Sequence, residues 1–264
     1  MAAGRGVPAR AGCALVLSAA LLAPATPATP AASGVRPAAA TSAGVDPAVY
    51  AYPRPRLAVG ASGPHVTELQ WRLWYLRSTT GFGSASWVTG RYGTLTRTAV
   101  RRFQQSAHLP VTGVVDARTS YVLRRRSDPV MYRACLASAR AWCLSKADLT
   151  IRYVEDGRVS VARWRPGLPT LPAASPTREG RFSVFARSTR RWSSQFRVWM
   201  PWWLQFSGGE GIHYSPDFAR YCYGTAAHPR GSHGCANVRD QAWLRARWAR
   251  TPLGTPVVVV YWTG

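Results

Sequence analysis

The apolar residues of this 264-residue chain change period once, near the arginine run Arg124–Arg126. Before it, Val66, Leu69, Leu73 and Leu76 recur at spacings of 3, 4 and 3, one face of a helix. Gly63-Pro64 opens that helix with a proline near its first turn. A loop rich in glycine (Gly81, Gly83, Gly90, Gly93) follows. Thr94 is expected to cap a second helix buried through Ala99, Val100 and Phe103. Pro110 and Gly113 break the chain, and Asp116 caps a third, short helix carrying Val122 and Leu123. After the arginines the pattern alternates. Ile151 and Tyr153 interleave with Thr150 and Arg152, and Asp156-Gly157 turns the chain back through Val159 and Val161, a hairpin signal. Phe182 to Phe185 and Phe196 to Trp199 suggest further strands, and Val257 to Trp262 a fully buried one. One helix is expected over 240–249, capped by Asp240, with Trp243, Leu244 and Trp248 inward. The fold class is therefore α+β by separate domains: a small three-helix bundle at 57–126, then a mostly β domain at 127–264.

The N-terminus reads as an export signal over residues 1–25. Arg5 and Arg10 precede an apolar run, Ala11 to Ala23, that is too short to anchor in a bilayer, and Ala23-Pro24-Ala25 resembles a cleavage site. Residues 26–56, rich in Ala and Pro, bury too little apolar surface to fold and are expected to form an extended tether. The net charge of +23 calls for a polyanionic neighbourhood: nucleic acid, membrane surface or anionic wall. It is diffuse, +8 over 57–126 and +11 over 127–264. Groove-reading proteins concentrate base on one element, so no nucleic-acid partner is expected. With export and no stable membrane anchor, an extracytoplasmic, wall-associated monomer held by anionic wall polymers is the expectation.

Beyond Cys13 in the signal, four cysteines remain. Cys135 and Cys143 stand eight apart, too far to bridge on a continuous helix, so a Cys135–Cys143 disulfide is predicted to staple a bend before the first hairpin. Cys222 and Cys235 either form a second pair or leave Cys235 as a working thiol. The surroundings of Cys235 favour the thiol. Gly231-Ser232-His233-Gly234-Cys235-Ala236-Asn237 follows Gly211-Ile212-His213-Tyr214 by a loop. A cysteine nucleophile needs an imidazole to take its proton and backbone N–H groups to hold an oxyanion. Gly234 removes a side chain beside the sulfur and is expected to free the turn's amides for substrate.

Two family resemblances follow from these segments. Leu57-x2-Gly60-x2-Gly63-x2-Val66-x2-Leu69-Gln70, Gly90-x2-Gly93-x2-Thr96-x2-Ala99-Val100-x2-Phe103-Gln104 and Leu109-Pro110-x2-Gly113-x2-Asp116 resemble the peptidoglycan-binding-domain-1 family. Ser232-His233-Gly234-Cys235 with Asn237 and the upstream Gly-Ile-His resembles the signature of the L,D-transpeptidases (YkuD type), as do Pro176 to Phe182 and Met200-Pro201-Trp202-Trp203. The first resemblance implies a three-helix bundle that holds glycan or stem peptide. The second implies Cys235 as nucleophile and His213 as general base and acid. Ser232, His233 and Gly234 then shape the oxyanion loop, with Asn237 supporting it, and Tyr214, Met200 and Trp202 are implied substrate contacts. The reaction implied is 3→3 cross-linking of peptidoglycan stem tetrapeptides through a thioacyl-enzyme, with no cofactor and no metal.

Two departures from the family pattern bear on the site. The interval from His213 to Ser232 is slightly long, and Tyr214 stands where a small residue is common. His228 lies inside that interval as a rival base, and Gly224 and Gly231 are possible lid hinges. With water as acceptor the same site is an L,D-carboxypeptidase. A zinc peptidase using His213, Asp217, His228, His233 or Cys235 fits no standard ligand spacing, and a non-catalytic wall-binding protein is the third alternative.

Overall fold

The computed structural model describes residues 54–166, 176–221 and 232–262. The expected signal segment, most of the tether, Cys222, His228 and the hinge glycines Gly224 and Gly231 lie outside the described residues. The helical region opens at Leu57, which pairs with Val115. It contains α1 (Pro64–Tyr75), α2 (Arg77–Thr80), α3 (Thr94–Ser106) and α4 (Ala117–Leu136). Pro64 stands in the first turn of α1, and Val66, Leu69, Leu73 and Leu76 are buried as their spacing predicts. They meet Ala99, Val100 and Phe103 of α3 and Leu123 of α4 in one core. Asp116 caps α4 by accepting from the Thr119 amide at 2.7 Å.

Two helical expectations need correction. Gly93, not Thr94, holds the cap position of α3, and no side chain bonds there. The third helix is not short: α4 runs 20 residues, through Arg124–Arg126 and Pro129 to Leu136. The arginine run thus lies within a continuing helix: Arg125 and Arg126 are exposed, Arg124 turns inward to Glu179, and Asp128, Met131 and Tyr132 beyond them are buried.

The strands are β1 (Arg140–Ser145), β2 (Thr150–Glu155), β3 (Arg158–Arg165), β4 (Gly180–Ser183), β5 (Ala186–Ser193), β6 (Val198–Ser207), β7 (Glu210–Tyr214), β8 (Ala236–Val238) and β9 (Pro256–Val260). The short α5 (Pro216–Tyr221) precedes β8, and α6 (Gln241–Ala249) follows it. The strand order is β4-β9-β1-β2-β3-β8-β7-β6-β5. The β2–β3 hairpin turns at Asp156-Gly157, both at positive φ. Asp240 caps α6 through the Trp243 amide at 2.8 Å.

The sheet curls until Phe182 of β4 meets Phe206 of β6, ring centroids 5.4 Å apart, although six strands stand between them in the order. The enclosed core holds Trp142 and Leu144 from β1, Ile151, Trp164, Leu204, Ile212, Val238 and Leu244 of α6. The opposite face of the same strands carries α4: Ala141, Cys143, Val258 and Val260 pack on Met131, Tyr132 and Cys135. Both faces of β1 and β9 are covered, so neither alternates between apolar and polar residues. The Cys135–Cys143 disulfide is formed, with Cα atoms 5.9 Å apart, tying the last turn of α4 to β1.

A buried ion cluster joins the helices to the sheet. Glu179, just before β4, has a fully buried side chain. It accepts from Arg54 at 2.9 Å, Arg124 at 3.1 Å and Lys146 at 3.3 Å. Arg72 of α1 reaches the same carboxylate at 3.6 Å and also pairs with Glu68 at 2.6 Å and with Asp128. Burial alone would push the Glu179 carboxyl up. Lys146, Arg54, Arg124 and Arg72 together outweigh it and hold the carboxyl well below the usual range. Arg54, expected at the end of a loose tether, is instead largely buried in this cluster, because two carboxylates there need its charge.

Candidate active site

β7 and β8 are adjacent and parallel, with His213 opposite Asn237 and Ile212 opposite Ala236. Cys235 immediately precedes β8, so the loop-separated Gly-Ile-His and His-Gly-Cys segments come together through strand pairing. A cleft of about 450 Å³ is lined by Cys235, His213, Ser232, His233, Asn237 and Met200. Phe196, Val198, Trp199, Ser215, Pro216 and Asp217 complete it.

The position of His213 depends on Gly211. A Cβ there would lie 2.6 Å from the Trp203 indole, so only glycine lets Trp203 lie against β7. The same indole flanks the imidazole, centroids 5.8 Å apart. His213 Nδ1 lies 2.8 Å from the Tyr214 carbonyl. A carbonyl only accepts, so Nδ1 carries the proton and Nε2 is left as the acceptor. Burial lowers the His213 pKa to about 4, against the pull of that carbonyl. Burial also pushes the Cys235 thiol up to about 12; a hydrogen bond with the Gly211 backbone opposes this and Glu210 adds to it. Cys235 Sγ also lies 3.9 Å from the Gly209 carbonyl. Thiol and imidazole therefore each rest neutral, unlike the charged thiolate of strongly activated cysteines.

Ser232 organises the turn. Its hydroxyl donates to the Cys235 carbonyl and accepts from the Gly234 amide at 3.2 Å. Gly234 has φ +129°, a backbone only glycine holds without strain. The expectation that this turn's amides all face substrate is thus corrected for Gly234, whose N–H is taken by Ser232. The His233 imidazole stacks on Phe196, centroids 3.8 Å apart, and so forms cleft wall. Asn237 is 7% exposed, and its Oδ1 has no hydrogen-bond partner among the described residues. That oxygen is thus an open acceptor in a residue lining the cleft.

Two expected contacts lie elsewhere. Trp202 packs on Trp248 of α6, centroids 5.4 Å apart, and Tyr214 packs against the sheet core. A break in the alternation of β6 explains Trp202: Met200 lines the cleft, whereas Trp202, at φ +58°, leaves that register. The sequence reading missed Trp199 and Phe196 as cleft residues. It also missed Glu210, whose carboxyl accepts from the Arg178 amide at 3.3 Å and is raised to about 7 by burial, with Arg178 opposing.

Residues 140–259 match the family model of the L,D-transpeptidase catalytic domain, YkuD. These residues form a YkuD domain. Residues 62–123 match the putative peptidoglycan binding domain, so a YkuD domain here follows a peptidoglycan-binding module. Among solved structures, the L,D-transpeptidase of Xylanimonas cellulosilytica is 28% identical, with 79% of this chain and 97% of that chain covered and a TM-score of 0.37. The L,D-transpeptidase (Yku) of Stackebrandtia nassauensis is 21% identical over 79% of this chain and 97% of its own, with a TM-score of 0.37. An L,D-transpeptidase from Mycobacterium smegmatis is 18% identical over 46% of this chain and 58% of its own, with a TM-score of 0.38. No curated protein matches the chain.

Proposed function

We propose that the YkuD domain transfers acyl groups on peptidoglycan stem tetrapeptides through Cys235, forming 3→3 cross-links outside the cytoplasm. The observation that carries this reading is the placement of Cys235 and His213 in one cleft, with an imidazole whose Nε2 is the free acceptor. With substrate bound, Nε2 takes the thiol proton as Sγ attacks the carbonyl of stem residue three at its L-centre. The tetrahedral intermediate collapses, the C–N bond to the terminal D-alanine breaks, and His213 returns its proton to the leaving amine. The thioester then passes its acyl group to a side-chain amine of a second stem, whose proton goes back through His213 to the sulfur. Because thiol and imidazole rest neutral, proton transfer belongs to the attack itself, which protects the sulfur until substrate excludes water. Asn237 Oδ1, buried and unpaired, is the acceptor for a substrate N–H. Met200, Trp199 and Phe196 supply the apolar wall for the donor stem. Water as acceptor makes the same site a carboxypeptidase.

Two measurements test the reading. Incubation with disaccharide-tetrapeptide is expected to yield cross-linked dimers and free D-alanine, and Cys235→Ala to yield neither. Intact mass is expected to rise by one carbapenem on the wild type and not on Cys235→Ala. Full turnover by Cys235→Ala overturns the proposal.

A further inference from the structure

We infer that the tip of the β5–β6 hairpin is a docking surface for a bilayer rich in anionic phospholipid. Among the twelve tryptophans of the chain, only Trp192 (46%) and Trp199 (47%) are exposed; the others are buried or half-buried. The two stand opposite each other across the hairpin, with ring centroids 5.1 Å apart. Val198, one position nearer the turn, is exposed as well. β5 stands at the end of the sheet order, so this aromatic pair occupies a sheet edge. Rings of this size facing water mark a contact surface. An indole is apolar in its body and polar at its N–H, which suits it to the headgroup level of a bilayer.

Charge selects which bilayer. Between Glu179 and Glu210 the chain carries five arginines and no acid, and Arg190, Arg191 and Arg197 are exposed at the hairpin tip. Arg190 holds its guanidinium over the Trp199 ring, 3.9 Å from the centroid, so charge and apolar surface are presented together. A soluble polyanion would engage the arginines and gain nothing from Trp192. A phospholipid surface engages both: its phosphates pair with guanidinium groups while the indoles enter beneath them. The same tip feeds the cleft, since Phe196 stacks on the His233 imidazole and Met200 lines the cavity. Docking therefore lays the cleft beside the bilayer. What that placement serves rests on the reading of the cleft as an active site; the docking itself does not.

The test is co-flotation of the full chain, purified after export, with two kinds of vesicle: phosphatidylcholine alone, and phosphatidylcholine mixed equally with phosphatidylglycerol. Binding is expected to be at least about tenfold stronger to the anionic vesicles. Trp192→Ser, which leaves the charge unchanged, and Arg190→Glu are each expected to weaken it at least about fivefold. Trp192→Tyr, which keeps an amphipathic ring, is expected to stay within about twofold of the parent. Arg158→Glu, the same charge change on the exposed β2–β3 hairpin, is expected to do likewise. Equal binding to both vesicle types overturns the proposal. So does equal binding by Trp192→Ser and the parent, which makes a soluble polyanion the partner of the tip. A loss in Arg158→Glu as large as in Arg190→Glu overturns it too, by indicating charge without a site. A loss in Trp192→Tyr as large as in Trp192→Ser does the same, by indicating damage to the hairpin. No turnover enters the measurement, so failed acyl transfer leaves the docking result standing, and failed docking leaves acyl transfer standing.

Discussion

Glu210 sits one residue before Gly211, half-buried, and its carboxyl titrates near 7 where an unfolded chain would titrate near 4.5. The folded protein thus favours the protonated acid. Between about 4.5 and about 7 the native state binds more protons than the unfolded one, so stability falls as pH rises through that window. At about 1.4 kcal/mol per unit the loss is up to roughly 3 kcal/mol. Glu210→Gln, which cannot ionise, is expected to match the wild type near pH 4.5 and to exceed it increasingly up to pH 7, after which the difference stays constant. Urea melts across that range measure this, and a constant difference at every pH contradicts it. The motif around Cys235 was legible as residues: a thiol, two histidines and a glycine in a suitable order. Where each imidazole lies was not, because His233 is adjacent in sequence yet stacks on Phe196, whereas His213 reaches the cleft through strand pairing.

Elements were legible where one face meets solvent. The β2–β3 hairpin and α1 show clean periods, and the structure matches them. β1 carries Arg140 to Ser145 with no alternation, because α4 covers one face and the curled sheet the other. A doubly covered strand of six residues has no period to read. The extension of α4 past its arginines was hidden for a related reason: its buried residues answer to the sheet, which local sequence does not contain. At this junction the Cys135–Cys143 bridge closes an eight-residue separation between helix and strand. Chain entropy for so short a loop amounts to about 2.5 kcal/mol. The double variant Cys135→Ser, Cys143→Ser is expected to lose about that much in urea unfolding, and an unchanged midpoint would falsify this.

At the scale of the whole molecule, the helical region and the sheet share α4 and the Glu179 cluster. Glu179→Gln removes the counter-charge of fully buried Lys146 and leaves Arg72 and Arg124 less well matched. Losing one partner of a buried ion pair costs about 3–5 kcal/mol. Because the cluster binds both modules, far-UV circular dichroism and tryptophan fluorescence are expected to report one coincident, earlier transition for Glu179→Gln. Two separated transitions, with the sheet unaffected, would show that the cluster does not couple them.

Sequence alone determined the change of period, the helical and β halves, the cysteine bridge and the chemical character of the Cys235 segment. Each of these is written in local order: spacing, turn residues, or a few side chains close together. Tertiary structure decided that His213 and Cys235 line one cleft, which other side chains line it, and that Glu179 ties the helices to the sheet. The last of these depends on residues more than 50 positions apart, such as Arg124 and Glu179. Only burial makes such a pair matter, by removing the water that would otherwise screen each charge.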